Sequence, residues 1–290
     1  DEDFAAAVSA SGGVLGVLIP PSNPLIVYGV ITSASIGDLF IAGIVPGLLM
    51  SFLMMGTVFL ISQVRGYAGG NAFHVRALAV SIWNGKYSLM MPVIVLGGIY
   101  TGMVTPVEAA VVAVLYALVV AMLVKRTLTF RGLWDCFTES STVCGGLTII
   151  MGTAVFFGEY MTMNMIPQSL AAFIIEFVSS KYTLLIIICI FLLIIGTFME
   201  TLATTMILTP ILLPVITTFD IDVIQFGVIM VVTNAIGMLT PPLGLNLFVA
   251  CNLTGLSLEQ VSSQVIPFIC ALILGLALIA FIPWLSLVLL

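Results

Sequence analysis

Long apolar stretches constrain this chain more than any other feature of its sequence. They occupy positions 104–124, 183–199 and 267–290, and each approaches the roughly 20 residues that a helix needs to cross the hydrocarbon core of a bilayer. Charged residues make up 7% of the 290 positions, whereas a soluble domain carries about 25%. A chain with so little charge cannot cover itself with a water-facing surface. We therefore expect an all-α polytopic membrane protein in contact with the lipid bilayer.

Composition and missing motifs exclude several functions. The seven lysine and arginine residues are too few for a nucleic-acid-binding surface. The cysteines show no CxxC spacing and mostly lie in apolar runs, which indicates membrane-buried thiols rather than a metal or redox site. The sequence contains no HExxH, GxSxG or Walker A motif, which argues against an intramembrane enzyme and an ATP-driven pump. Because neither an initiator methionine nor a signal peptide is recognisable, we expect a piece of a longer polypeptide.

The distribution of positive charge predicts the topology. Six of the seven basic residues form two clusters, one of Arg65, Arg76 and Lys86 and one of Lys125, Arg126 and Arg131. Loops rich in lysine and arginine stay in the cytoplasm, so residues 87–124 between the clusters should form two spans with a turn near Thr101 and Gly102.

The second of these spans has a helix-start signature. Thr105, Pro106 and Glu108 occupy the N-cap, N1 and N3 positions. Glu108 is therefore interpreted as a helix cap rather than as a functional carboxylate.

The remaining segments follow from this assignment. We expect residues 9–31 to run outward and 39–63 inward, with an interfacial helix at 131–142 and an outward span at 145–163. Residues 183–218 are interrupted by the polar stretch 199–201 and by Pro210, which predicts a re-entrant hairpin that enters from outside. Residues 226–252 then run inward and 265–285 outward.

An internal repeat underlies this pattern. The sequence GVLIPP at residues 16–21 resembles GMLTPP at 237–242, and the same offset of 221 pairs Leu18 with Leu239, Asp38 with Glu259 and Pro46 with Pro267. In the predicted topology the two copies cross the membrane in opposite directions. Inverted repeats with interrupted hydrophobic segments are typical of the binding site of a secondary transporter.

The paired prolines predict broken helices with exposed backbone polar groups. Two consecutive prolines remove two N–H donors and disfavour helix at the preceding residue, so carbonyl oxygens within 12–20 and 237–241 lose their partners. Such oxygens suit a sodium ion, and the N-termini of the following half-helices suit an anion. The alternative reading is that each proline pair only bends its helix.

Polar side chains near the breaks and the hairpin tip are the candidate ligands. Ser9, Ser11, Ser22 and Asn23 flank the first break, and Asn234 and Asn246 flank the second. At the predicted tip, Glu200 precedes Thr201, Thr204 and Thr205. Each has a simpler alternative: Glu200 as a solvated turn residue, the threonines as hydroxyls bonded to their own helix, and the serines and asparagines as hydrogen bonds between helices.

Four stretches resemble one known family. They are residues 9–24, 35–47, 105–110 and 208–214, the last followed later by 237–246. All are similar to the large membrane subunit of TRAP transporters, the tripartite ATP-independent periplasmic transporters, and the resemblance covers essentially the whole chain. It implies sodium-coupled uptake of an organic acid anion across the bacterial inner membrane by an inverted-repeat, elevator-type secondary transporter. The implied partners are a periplasmic substrate-binding protein and a small four-helix membrane subunit, separate or fused ahead of this one.

The resemblance also implies a division of the chain into parts. Residues 1–37 would end a first transport-domain repeat, 38–144 would form scaffold helices and interfacial arms, 145–263 would form the second repeat with its hairpin at 183–218, and 264–290 would form a C-terminal membrane helix.

Site assignments follow by combining the resemblance with the candidate residues. The sodium-binding set comprises Ser11, Gly12, Gly16, Pro20, Thr204, Thr205, Gly237, Leu239, Thr240 and Pro241. The substrate-binding set comprises Ser9, Ser22, Asn23, Glu200, Thr201, Asn234 and Asn246. The family places another hairpin before the first break, so the first sodium site is expected to be only half contained in this chain.

Two alternatives and the substrate stay open. A stand-alone sodium/anion symporter without a binding protein is the nearest rival, and a channel-like or structural membrane subunit is the next. Sialic acid and C4-dicarboxylates are the main candidate substrates, with a slight preference for sialic acid.

Overall fold

The computed structural model describes residues 1–67, 74–166, 169, 178, 180–242 and 244–290. These residues form helices joined by turns, without a strand, which confirms the predicted all-α class. The helices in chain order are α1 Glu2–Leu18, α2 Asn23–Thr32, α3 Ile36–Arg65, α4 Val75–Tyr100, α5 Pro106–Leu118 with a π-helical continuation at Val119–Val124, α6 Phe130–Met163, α7 Lys181–Gly196, α8 Thr201–Thr218, α9 Val223–Gly237, α10 Leu245–Thr254, α11 Leu258–Phe281 and α12 Trp284–Leu287.

Six segments of the described chain are long and apolar enough to cross a membrane. They are Glu2–Thr32, Ile36–Arg65, Val75–Tyr100, Pro106–Val124, Thr201–Thr218 and Leu258–Phe281. Three shorter apolar helices, α7, α9 and α10, complete the set. Helix α7 ends at the hairpin tip, and α9 and α10 lie on either side of the second break.

Local turn chemistry matches the sequence in the region of α4 and α5. Helix α4 ends at Tyr100, and Thr101 and Gly102 begin the predicted turn. The Thr105 hydroxyl accepts the Glu108 N–H, while the Glu108 carboxylate accepts the Thr105 N–H at 2.7 Å. This capping box satisfies two N–H groups that the first helical turn leaves without intrahelical partners. The interpretation of Glu108 as a cap is confirmed.

Two expected interruptions are absent: α8 continues through Pro210 from Thr201 to Thr218, and a predicted boundary within α6 is wrong. An interfacial helix at 131–142 and a separate span at 145–163 were expected, but a single helix, α6, runs from Phe130 to Met163. Gly145 and Gly146 lie at the expected boundary and do not break it. A glycine within a helix costs only about 1 kcal/mol, and the segment has no proline to remove a backbone donor.

The chain divides into two compact units. One comprises residues 1–66 and 153–290, and the other comprises residues 67–152. In the first unit α9 is the central helix, with every residue from Gln225 to Gly237 buried. It packs against α1, α3, α7, α8 and α11. In the second unit α4 and α5 form a helical hairpin, and the Tyr116 hydroxyl donates to the Tyr87 carbonyl at 2.8 Å.

The internal repeat extends well beyond the proline pairs. Each copy consists of a half-helix, a break and a second half-helix. The second half-helix is followed by a residue in the left-handed conformation, Ser33 with φ 57° in the first copy and Gly255 with φ 72° in the second. A serine-capped long helix follows, α3 after Ser35 and α11 after Ser257. The packing is reciprocal as well, because α1 contacts α11 and α9 contacts α3. The opposite orientation of the two copies in the membrane stays a prediction.

Candidate functional site

The first break separates α1 from α2. Helix α1 ends at Leu18, Ile19 is extended, and the Pro20–Pro21 peptide bond is cis. Pro21 has no N–H to donate to the carbonyl of Val17, and the Ser22 hydroxyl donates to that oxygen instead, at 2.6 Å. The same hydroxyl accepts the Leu25 N–H at the start of α2. The buried Ser22 thus links the end of α1 to the start of α2.

Other carbonyls at this break have no partner. Pro20 lacks the N–H that would reach the carbonyl of Gly16 in a continuous helix. Within the described residues, no other N–H or hydroxyl donates to this oxygen. It is therefore available to a cation, as predicted for the sodium-binding set. Gly12 lies one turn earlier in α1, where its Cα faces open space.

The second break uses backbone donors in place of the missing proline N–H groups. Thr240 N–H donates to Gly237 at 2.9 Å, and Asn246 N–H reaches back across the break to Met238 at 3.2 Å. The Pro241–Pro242 bond is cis, like its counterpart. Among the described residues, no donor reaches the carbonyls of Leu239 and Thr240, two of the predicted oxygen ligands.

The tip between α7 and α8 lies against the second break. Glu200 is the N-cap of α8, and its carboxylate accepts the Ala203 N–H at 3.3 Å. The Thr201 hydroxyl donates to the Met238 sulfur at 3.2 Å. The backbones of Gly196 and Gly237 touch, because a Cβ on Gly237 would lie 2.5 Å from the Gly196 carbonyl carbon. The tip is therefore held on α9 by a contact that only glycine permits.

A cavity of about 200 Å³ joins both breaks and the tip. Gly16 and Asn23 line it from the first break, Glu200 and Thr201 from the tip, and Met238 from the second break. Four of these five residues belong to the predicted site. The cavity lining contains one carboxylate and no basic side chain.

A second group of predicted residues does not line the cavity but has buried side-chain atoms without described partners. The Ser11 hydroxyl, both amide atoms of Asn234 and Nδ2 of Asn246 have no hydrogen-bond partner among the described residues. Asn246 lies on Gly13 of α1, where a Cβ would come within 2.7 Å of Nδ2. An unsatisfied buried polar group costs about 1–3 kcal/mol. Such a cost is offset when a ligand supplies the missing partner.

The remaining predicted residues lie elsewhere or are already bonded. Ser9 is exposed on α1 and does not line the cavity. Thr204 and Thr205 are fully buried and donate to the carbonyls of Glu200 and Thr201, one turn earlier in the chain. This is the intrahelical alternative expected for threonine in a membrane helix. Each hydroxyl oxygen still carries lone pairs that can coordinate a cation.

The sequence analysis did not identify those residues of the site that have neither a charge nor a hydroxyl group. Met238 supplies a sulfur to the cavity, and Gly13 and Gly196 allow helices to approach closely. A small residue where helices cross is a known signal in membrane proteins, but it does not identify the helix that approaches. Among the described residues, no group of three histidine, cysteine or acidic side chains is placed to hold a metal ion. The oxygen donors at the breaks are neutral.

The all-helical fold, with its long apolar segments and its two broken helices, is that of an integral membrane protein. Residues 1–285 match the family model described as "Tripartite ATP-independent periplasmic transporter, DctM component". The chain belongs to this family, as the resemblance predicted. It is a multi-pass protein of the bacterial inner membrane.

Named relatives cover nearly all of the chain. It is 43% identical over 281 residues to the isethionate TRAP transporter permease protein DctMQ of Oleidesulfovibrio alaskensis, with 97% of the chain and 44% of the relative covered. It is 38% identical to the C4-dicarboxylate TRAP transporter large permease protein DctM of Pseudomonas aeruginosa and 37% identical to the sialic acid TRAP transporter large permease protein SiaM of Vibrio cholerae. These two alignments cover 99% of the chain and 67% of each relative. The chain thus spans less than half of the first relative's length and about two-thirds of the other two.

Proposed function

We propose that this protein imports an organic acid anion across the inner membrane by an elevator movement of a transport domain against a scaffold, driven by the sodium gradient and the membrane potential. The observation that carries the proposal is the cavity where the two helix breaks meet the α7–α8 tip. Gly16, whose carbonyl has no described donor, is part of its lining. Broken helices at the centre of a repeat are the structural hallmark of ion and substrate sites in secondary transporters.

Sodium binds to neutral oxygens at the breaks. At the second break the ligands are the carbonyls of Leu239 and Thr240, with the Thr204 and Thr205 hydroxyls opposite. At the first break the free carbonyl of Gly16 and the Ser11 hydroxyl contribute to another site. Hard cations are held by carbonyl, hydroxyl and carboxylate oxygens, and half-helix C-termini add a negative dipole.

The charge of the cavity couples the anion to sodium. Glu200 brings one negative charge to the lining, and no basic residue compensates it. An anion entering the empty cavity would therefore be repelled. Sodium bound at the adjacent break opposes this repulsion, so sodium binds first and the anion follows. Asn23 and Thr201, which line the same cavity, then donate hydrogen bonds to the anion.

The substrate is proposed at the level of its chemical class. The names of three relatives cite isethionate, C4-dicarboxylates and sialic acid, which are all organic acids. A periplasmic binding protein delivers the anion, and a small membrane subunit accompanies this chain. The description of the family as tripartite and periplasmic supports both partners.

Uptake by proteoliposomes tests the proposal. The permease with its small subunit is reconstituted, and uptake of the three radiolabelled anions is measured with and without an inward sodium gradient and with and without the binding protein. We expect one anion to accumulate only when both sodium and binding protein are present. Accumulation without binding protein would identify a stand-alone symporter. Equilibration that ignores the sodium gradient would identify a channel-like subunit, and either result overturns the proposal.

Sodium-ligand variants separate coupling from folding. Replacing Thr204 and Thr205 together by valine removes both hydroxyls at nearly constant volume. We expect a higher half-saturating sodium concentration for uptake and an unchanged amount of protein in the membrane. Thr217→Val is a matched control, because its exposed hydroxyl is bonded to its own helix near the far end of α8. Equal sodium dependence in the double variant and the control would contradict the assignment.

A further inference from the structure

Two lysines converge on one tyrosine in the unit formed by residues 67–152. The Lys86 ammonium lies 3.9 Å from the ring centroid of Trp83 and 5.1 Å from that of Tyr87. The Lys125 ammonium, at the end of the other arm of the hairpin, lies 5.6 Å from the same Tyr87 ring. Helices α4 and α5 thus bring two positive charges to one aromatic surface, although the lysines are far apart in sequence.

Neither charge is neutralised by the protein. Within the part of the chain that the structure describes, neither Lys86 nor Lys125 has a carboxylate within ion-pair distance or a hydrogen-bond acceptor. The aromatic rings attract the ammonium groups through their quadrupoles, but they carry no net charge. Each ammonium keeps donors free on the side away from its ring. The pair therefore offers a site of net charge +2 to an anion.

The two lysines also mark one edge of the hydrocarbon layer. The only charged residue between them in sequence is Glu108, whose carboxylate caps α5 at the opposite end of the hairpin. From Pro106 to Val124 the helical arm spans roughly 28 Å, close to the hydrocarbon thickness of about 30 Å. Lys125 follows this arm directly. Trp83 and Tyr87 lie at the same level, where interfacial aromatic residues are enriched.

We propose that Lys86 and Lys125 bind the phosphate of an anionic phospholipid, in the leaflet that the charge pattern predicts to be cytoplasmic. The phosphate lies between the two ammonium groups, and the acyl chains follow the apolar arms of α4 and α5. Exposed apolar side chains below the lysines, among them Met90 and Val93, provide the surface for these chains. A zwitterionic lipid fits less well, because its own cationic group meets two uncompensated positive charges.

A lipid titration tests the proposal directly. Detergent-purified permease, with the subunits that accompany it, is stripped of lipid and titrated with phosphatidylglycerol, and native mass spectrometry reports occupancy of the first bound lipid. Loss of both lysines in Lys86→Ala/Lys125→Ala should raise the half-saturating lipid concentration about 25-fold, or about fivefold for each lysine. Lys86→Arg keeps the charge and the aromatic contact and should bind as the original protein does.

The matched control removes the same charge elsewhere in the same unit. Arg76→Ala/Arg131→Ala alters two exposed basic residues outside the aromatic cluster and should leave the affinity unchanged. Equal losses in the two double variants would mean that only net charge matters, and the proposal would fail. It would also fail if phosphatidylcholine bound as tightly as phosphatidylglycerol. Competition by millimolar glycerol phosphate, a soluble anion without acyl chains, would equally overturn the lipid assignment.

Discussion

The contact between Gly196 and Gly237 leads to a sharp prediction about the α7–α8 tip. A Cβ on Gly237 would lie 2.5 Å from the carbonyl carbon and 2.7 Å from the Cα and oxygen of Gly196. All three atoms belong to the backbone, so no side chain can rotate away. The Gly237→Ala variant can be accommodated only if the end of α7 moves away from α9.

The size of that movement follows from the geometry. Ordinary contact begins at 3.4 Å, so the gap must open by about 1 Å, and overpacking of this kind costs about 1–3 kcal/mol. The movement displaces the tip from the free carbonyls of Leu239 and Thr240. A loss of about 1.4 kcal/mol in sodium binding corresponds to a tenfold weaker affinity. An overpacking cost of about 1–3 kcal/mol taken from sodium binding weakens it roughly 5- to 150-fold, so we expect the half-saturating sodium concentration for uptake to rise at least about fivefold.

Two alanine variants calibrate the measurement. A Cβ on Gly196 would meet α9 backbone atoms at 3.3–3.4 Å, so Gly196→Ala should have a smaller effect. Gly56→Ala in α3 adds a methyl group with nothing within 4 Å and should behave as the original protein does. Uptake at graded sodium concentrations and thermal unfolding in detergent are measured for all three variants. If Gly237→Ala matches Gly56→Ala in both assays, the reasoning about the tip is refuted.

Three further predictions concern single side chains. Asn234→Leu removes a buried amide that has no described partner and that the sequence assigns to the substrate-binding set, so thermal stability without substrate should not fall while the stabilisation by added substrate anion disappears; a retained anion effect would exclude Asn234 as a substrate ligand. Glu108→Ala removes the capping box with Thr105 and should lower the melting temperature, because two N–H groups of the first turn of α5 lose their partners, with sodium dependence of uptake unchanged; altered sodium dependence would reopen a functional role. Tyr28→Phe removes the hydrogen bond to the Val223 carbonyl at 2.7 Å and should cost about 1 kcal/mol, seen as a lower melting temperature; an unchanged melting temperature would show that this bond contributes nothing.

Features with local causes were readable from the sequence. The proline pairs predicted both helix breaks, and the capping residues around Thr105 predicted the start of α5. The polar stretch at 199–201 predicted the interruption between α7 and α8. In each case a residue removes or supplies a backbone hydrogen bond within a few positions. The boundary expected within α6 was wrong for the same physical reason. Glycine weakens a helix but keeps its N–H donor, so the helix continues.

Which polar residues reach the cavity depended on tertiary structure. Glu200 and Thr201 line it, whereas Asn234 is sealed within the helix packing beside it. Helical residues differ in direction by about 100° per position, so a small rotation of a helix decides between these outcomes. The face that α9 turns toward α7 carries the close contact between Gly237 and Gly196, which are distant in sequence. No local pattern specifies that pair.

At the two breaks, different donors replace the N–H groups that the prolines lack. The two copies of the repeat therefore differ in which carbonyl oxygens keep a partner. At the first break a side chain, Ser22, replaces the missing proline donor, and the Gly16 carbonyl is left free. At the second, the equivalent carbonyl of Gly237 accepts the Thr240 N–H, and the free oxygens lie further along, on Leu239 and Thr240. We therefore expect a sodium ion at the first break to lie nearer the end of α1, and one at the second to lie further along the break. The two proposed sites need not share the same sodium affinity, because the missing N–H groups are replaced at different positions in the two breaks.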